Sequence, residues 1–275
     1  MVSAVQIENS LKALGNADHA ADAQRFFKTG VGEYGEGDQF LGIRVPVLRQ
    51  QVRQYRGLPL EEALLLLHSP LHEVRLFALL LLVEQFQRGT AQQQADIHAL
   101  YLANTQYINN WDLVDTSAPY IMGIYLHGRD KQVLYTLAVS SSLWERRIAM
   151  IATFFFIRQH QFGDALAIAK LLLADREDLI HKAVGWMLRE IGKRDRAVEA
   201  IFLQAHYRIM PRTMLPLDLA TRPGVAVPPS KPTGLTATAR GSAAVVADPY
   251  SVSVGNAAAG ADANCQLVPR REVIV

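Results

Sequence analysis

Two six-residue segments of this chain resemble each other across 72 positions: Leu71-His72-Glu73-Val74-Arg75-Leu76 and Leu143-Trp144-Glu145-Arg146-Arg147-Ile148. Leu179-Ile180-His181-Lys182-Ala183-Val184 fits the same frame 36 residues further on, and halving 72 puts a fourth member near Tyr107, where a helix through Trp111 begins. A unit of this size cannot bury its apolar face alone, so such units stack and share one core. Apolar residues recur at helical spacing over 45–56, 59–68, 71–88, 91–103, 111–127, 130–139, 143–160, 163–174, 178–193 and 195–208. Gly57, Pro59, Ser69, Pro70, Gly89, Gly128, Gly163 and Gly192 punctuate these windows. Connections this short make neighbouring helices antiparallel. The expected fold class is all-α, an α-solenoid of antiparallel helix pairs.

The chain changes character near residue 215. Seven of its twelve prolines fall in 216–275, whereas all histidines and tryptophans precede that stretch. The stretch is rich in Ala, Val, Gly, Pro, Ser and Thr, has no helical or strand period, and is expected to be a disordered tail. The expected division is a helical-repeat domain at 1–215 and a low-complexity tail at 216–275. Half of the residues are hydrophobic, enough for a sizeable core. The longest uninterrupted apolar run, Leu76 to Val83, falls far short of the ~20 residues that a membrane span needs. Cys265 is the only cysteine, which excludes an internal disulfide framework and paired-cysteine zinc sites. The N-terminus has no basic start followed by an apolar run, so no signal peptide is expected and a reducing cytoplasm fits.

Lys and Arg number 28 against 26 Asp and Glu, so an anionic partner would have to be met by a local patch. The repeat frame suggests one. It aligns Val74/Arg75, Asn110/Trp111, Arg146/Arg147 and Lys182/Ala183, so Arg75, Trp111, Arg146, Arg147 and Lys182 are expected on one ladder. Asp115 and Trp186, one turn on, project near the same face. Arg189, Lys193 and Arg194 extend the charge. The plain alternative is a solvated outer face, where scattered cations are ordinary.

Other motifs read more plainly. Gly30-Val31-Gly32-Glu33-Tyr34-Gly35 matches the spacing of a dinucleotide loop. A helix ending at Gly30 precedes it instead of a strand, and Glu33, Glu36 and Asp38 would repel a pyrophosphate. No nucleotide cofactor is expected. His68 and His72 are separated by the helix-breaking Ser69-Pro70, with no third ligand at a recognisable spacing, so no metal is expected. Trp144 and Phe154-Phe155-Phe156 read as core. Asp112, near a helix start, suits the helix dipole. Trp111 and Asp115, one turn apart, can hold a cation beside a carboxylate, as an oxocarbenium-like sugar or a cationic purine requires.

Five segments together resemble the AlkD-type bacterial DNA alkylation repair family. They are Phe26-Phe27-Lys28-Thr29-Gly30, Gly32 to Pro46, Trp111-Asp112-Leu113-Val114-Asp115, Leu143 to Arg147, and Lys182 to Glu190. The resemblance covers about 20–215. It implies HEAT-like repeats that wrap duplex DNA. It also implies hydrolysis of the N-glycosidic bond of N3- and N7-alkylated purines by a monofunctional glycosylase, without metal, cofactor or lyase lysine. Carried over by match, Trp111, Asp115 and Trp186 form the catalytic trio and Arg147 contacts the DNA backbone, with Arg189 as a further backbone candidate. Arg75, Arg146 and Lys182 join the DNA-binding set through the ladder. The expected state is a cytoplasmic monomer, associated with the nucleoid when bound to DNA. The family pattern stops after Met210 to Leu215, where Pro216 opens the tail; a frame change or fusion is the expected origin. Two other functions stay open: a non-catalytic binder of branched or distorted DNA, and a protein-binding scaffold.

Overall fold

The structure, a computed structural model, describes residues 2–215; the tail expected over 216–275 lies outside them. The first helices are α1 (Ala4–Lys12), α2 (Ala17–Phe26), α3 (Val45–Val52), α4 (Leu60–Leu67), α5 (His72–Arg88) and α6 (Ala91–Ala103). Then come α7 (Trp111–Ala118), continued through a wide turn at Pro119–Gly123 into α8 (Ile124–Leu126), and α9 (Gln132–Ala138). The last are α10 (Leu143–Arg158), α11 (Gly163–Leu171), α12 (Asp178–Arg194) and α13 (Arg196–His206). Among the described residues the only strand-like pairing is an isolated parallel bridge from Gln39 to Leu71. The fold is all-α.

Helices pack in the order that a stack of pairs requires. α5 lies on α7, α7 on α10 and α10 on α12. α4 backs α5, α9 backs α10, and α11 packs against both α10 and α12. The apolar run of α5 explains its central place: Leu76, Phe77, Leu79, Leu81 and Leu82 are all buried, as are Ile148, Met150, Ile151 and Phe156 of α10. Side-chain caps open six of these thirteen helices. Thr90 and Gln93 form a capping box for α6, Ser142 caps α10, and Asp195 accepts from two amides of α13.

Two features differ from the sequence expectation. α1 carries a Ser3–Gln6 capping box that places a helix ahead of the first apolar window, packed on α4. α2 ends at Phe26, before Gly30, and Lys28 takes the left-handed conformation that closes the turn (φ 52°).

The four stacked helices begin at His72, Trp111, Leu143 and Asp178, spacings of 39, 32 and 35 residues. The second starts four residues later than the regular frame, because Thr105–Tyr107 forms a 3-10 turn ahead of it. Pro119 lacks an N–H, so the hydrogen-bond ladder widens there into a π turn. Gly123 then sits hard against α10: a Cβ would fall 2.5 Å from the Ala152 carbonyl oxygen and 2.8 Å from Phe155 Cβ. This close approach lays α7 alongside α10. Beyond α13, Pro211–Leu215 crosses α12 at Gly185, where a Cβ would meet the Met214 carbonyl oxygen at 2.8 Å.

Candidate functional site

Asn110 sets the start of α7. Its side-chain carbonyl accepts from the Trp111 amide at 2.8 Å, so Trp111 stands at the first helical position, half-buried. Asp115 follows one turn later on the same side. Its two carboxylate oxygens take a fork of hydrogen bonds from Arg147 of α10, Nε at 3.0 Å and Nη2 at 2.8 Å. Both side chains are buried, 8% exposed for Asp115 and 1% for Arg147. Arg147 also donates to the Leu179 carbonyl at the start of α12. One guanidinium thus joins three consecutive stacked helices. Burial pushes the Asp115 carboxyl above its ordinary range; Arg147 pulls it back, and the neighbouring charge of Asp112 adds to the rise.

Aromatic rings surround Trp111. Phe27 stacks on it at 5.3 Å between centroids and Phe26 meets it edge-on at 5.9 Å, with Phe26 itself 59% exposed. The Trp111 indole draws the Tyr34 hydroxyl down against the rise from burial, and the Tyr34 ring meets Trp144 edge-on at 6.1 Å. Trp144 is therefore half-buried beside this wall and not in the core. Trp186, on α12, is buried with its ring 5.6 Å from Phe154.

Behind Trp111 lies a buried charged chain. His72 Nε2 bonds to Asp112 Oδ2 at 2.8 Å and Nδ1 to Asp38 Oδ2 at 3.2 Å, while Arg75 Nη2 donates to Asp38 Oδ1 at 2.7 Å. Burial alone would push the imidazole down; the Asp112 charge and the hydrogen bonds to Asp112 and Asp38 outweigh it and hold His72 at about 9, against the opposing charge of Arg75. The ring is thus an imidazolium at neutral pH. Next to it, Glu73 accepts from the amides of Leu41, Gly42 and Ile43 and fixes the loop that carries Asp38.

The expected cationic ladder is not one surface. Counted from true helix starts, Arg75, Val114, Arg146 and His181 are equivalent, and so are Leu76, Asp115, Arg147 and Lys182. Arg75, Arg146 and His181 each bond to the carbonyl six residues back, those of Ser69 (3.0 Å), Ser140 (2.9 Å) and Asp175 (2.7 Å). Arg75 and Arg147 are buried, and Arg146 is paired with Asp175. The physical reason is that a buried cation must be paired, and each of these finds a carboxylate within the chain. Lys182 is exposed, with Asp178 one turn back, and Arg189 is half-buried. The glycine-rich loop feeds its own acids: the Gly30 amide donates to Glu33 and the Gly32 amide to Glu36, both at 2.9 Å. Among the described residues no group of three His, Cys, Asp or Glu side chains is arranged to hold a metal ion, and no helix is long and apolar enough to cross a membrane.

Comparison with known proteins assigns the fold. The sequence model of one family, described as DNA alkylation repair enzyme, matches residues 7–217. The chain belongs to that family. A solved structure described as a predicted DNA alkylation repair enzyme from Enterococcus faecalis shares the fold at a TM-score of 0.56 and 18% identity, covering 73% of this chain and 92% of that one. Among curated proteins none matches. For this member of the DNA alkylation repair family, Tyr34, Asp38, His72 and Glu73 are the residues around Trp111 and its supporting loop that sequence reasoning did not place there. Tyr34 and Asp38 lie inside the Gly32–Pro46 segment that carries the resemblance, and His72 and Glu73 inside the first repeat, so a signal was present for each.

Proposed function

We propose that the protein is a monofunctional DNA glycosylase that hydrolyses the N-glycosidic bond of N3- and N7-alkylated purines in duplex DNA. The observation that carries this is a buried carboxylate, Asp115, one turn from a half-buried indole, Trp111, at the wall of aromatic rings. A purine alkylated at N3 or N7 is already cationic, so it leaves as a neutral base without a general acid. Positive charge grows on the deoxyribose as the bond breaks. Asp115 stabilises that charge and orients the water that replaces the base. The Arg147 fork favours the ionised carboxylate that this role needs and fixes its direction. Trp111 presents a ring face to the sugar, and Trp186 completes the trio from α12. Lys182 and Arg189 meet the DNA backbone. Arg75 and Arg146 act indirectly, by bracing the loops ahead of their helices. The chain works as a monomer, without metal or cofactor, in the bacterial cytoplasm, and its helix pairs are HEAT-like repeats.

A second reading has its own support. Both oxygens of Asp115 are already engaged by Arg147, as they would be in a purely structural ion pair. That suits a relative that binds distorted DNA without excision. Incubation of methylated duplex DNA with the protein, followed by chromatography of the freed bases, separates the two. Release of 7-methylguanine or 3-methyladenine supports the glycosylase. Tight, salt-sensitive binding without release supports the binder.

A further inference from the structure

We propose that His72 is a positioning residue, whose grip on Asp112 and contact with Phe27 set the angle at which α7 presents Trp111. This rests on the reading of Trp111 as part of the reacting site.

Two separate routes lead from the His72 ring to that indole. The first is polar. Nε2 holds Asp112, the residue directly after Trp111, and Nδ1 holds Asp38, whose Oδ2 also accepts from Asn110 Nδ2 at 3.4 Å. The residues on both sides of Trp111 are therefore tied to the same ring or its partner. The second is apolar. His72 stacks on Phe40 at 4.4 Å and lies 5.0 Å from Phe27, which itself stacks on Trp111.

The ring is 1% exposed, although a core needs no charge there. Burying an imidazolium between two carboxylates is costly unless every charge is matched, and a well-packed apolar residue would serve stability as well. What the charges add is direction, because a bond to each nitrogen fixes the ring plane. The ring also borders a cavity of about 180 Å³, shared with His19, Phe27, Arg44 and Asp112. α7 depends on these ties: it lacks the brace that Arg75, Arg146 and His181 give the other stacked helices, since Val114 stands in its place. The ionisable groups around the ring are Asp38 from the loop, Asp112 from α7, and Glu73 and Arg75 from α5, with His19 and Arg44 across the cavity.

The test uses the full chain labelled with 5-fluorotryptophan, its three resonances assigned by single Trp→Phe substitutions. Between pH 7 and pH 10 the Trp111 resonance should shift with a midpoint near 9, where His72 loses its proton, while the Trp186 resonance stays still. Tyr34 also neighbours this indole, but burial raises its hydroxyl above the ordinary 10.0, so its titration comes later. In His72→Gln the Trp111 shift should vanish. Single-turnover base release by that variant should fall roughly 10- to 100-fold, as a misplaced reacting group implies, with DNA affinity within about 2-fold of the parent. A Trp111 resonance that is flat from pH 7 to pH 10 in the parent overturns the proposal, and that measurement needs no variant to fold. So does a folded His72→Gln with the parental rate. If the parent releases no base at all, the glycosylase reading fails, and the fluorine titration alone decides the positioning.

Discussion

Replacing Arg147 by Met removes the guanidinium from an ion pair that is almost wholly buried. The Asp115 carboxylate keeps its burial and loses both hydrogen bonds. Breaking a buried pair by deleting one partner costs about 3–5 kcal/mol, since a charge is left in a poor dielectric. For a domain of this size each kcal/mol moves Tm by roughly 2–4 °C, so the variant should melt roughly 6–20 °C below the parent at pH 8. The loss should shrink on acidification. Burial already raises the Asp115 carboxyl, and without Arg147 it rises further. A group whose folded pKa lies above its unfolded one gains stability from protonation as pH falls through the folded value. At pH 5 the deficit should therefore be clearly smaller than at pH 8. The double variant Arg147→Met/Asp115→Leu, which buries no charge, should recover most of the loss. Thermal unfolding followed by circular dichroism reads all of these. A deficit under ~2 °C at pH 8, or one identical at pH 5 and pH 8, would refute the reasoning.

Asp115→Asn should slow single-turnover release of 7-methylguanine by ~10²-fold or more while DNA affinity changes only a few-fold, since the charge it answers appears only in the transition state; equal rates would remove Asp115 from the chemistry. Glu73→Gln weakens the charged cap on three amides and should cost roughly 1.5–3 kcal/mol in urea unfolding; an unchanged midpoint would show that the 41–43 turn holds itself. The stability that His72 contributes should be fully present below about pH 6.5 and be lost as pH rises through about 9, because His72 is raised from 6.5 to about 9 in the fold. That contribution amounts to roughly 3 kcal/mol. Denaturant midpoints at pH 6 and pH 9.5 that coincide would contradict it.

Most of the fold was legible because helical periodicity is a local signal. The windows at 91–103 and 178–193 match α6 and α12 almost to the residue. α1 escaped because its signal is a capping box, Ser3 and Gln6, with only Ala4, Ile7 and Leu11 buried. The repeat frame found the stacked helices but missed the register of α7. A regular period cannot foresee the 3-10 turn at Thr105–Tyr107, and that slip moved Trp111 onto the wrong rung. The pairing of Trp111 with Asp115 survived, since it depends only on spacing within one helix. The acid partners of Arg75 and Arg147 were hidden, because Asp38 and Asp115 lie 37 and 32 residues away in sequence. A residue count cannot tell a cation that faces solvent from one that faces a distant carboxylate.

The brace to the carbonyl six residues back bears on how such a chain could be rearranged. In α5, α10 and α12 the helix and the turn ahead of it are latched together by one side chain of the helix itself. Those stretches behave as cassettes: a duplication or transplant that begins six residues before the bracing residue carries its own latch with it. α7 is the exception. Its turn is secured by Asp38 and His72, which arrive from earlier in the chain. Copying or grafting α7 alone would leave its opening residues untethered, because Asp38 and His72 would stay behind.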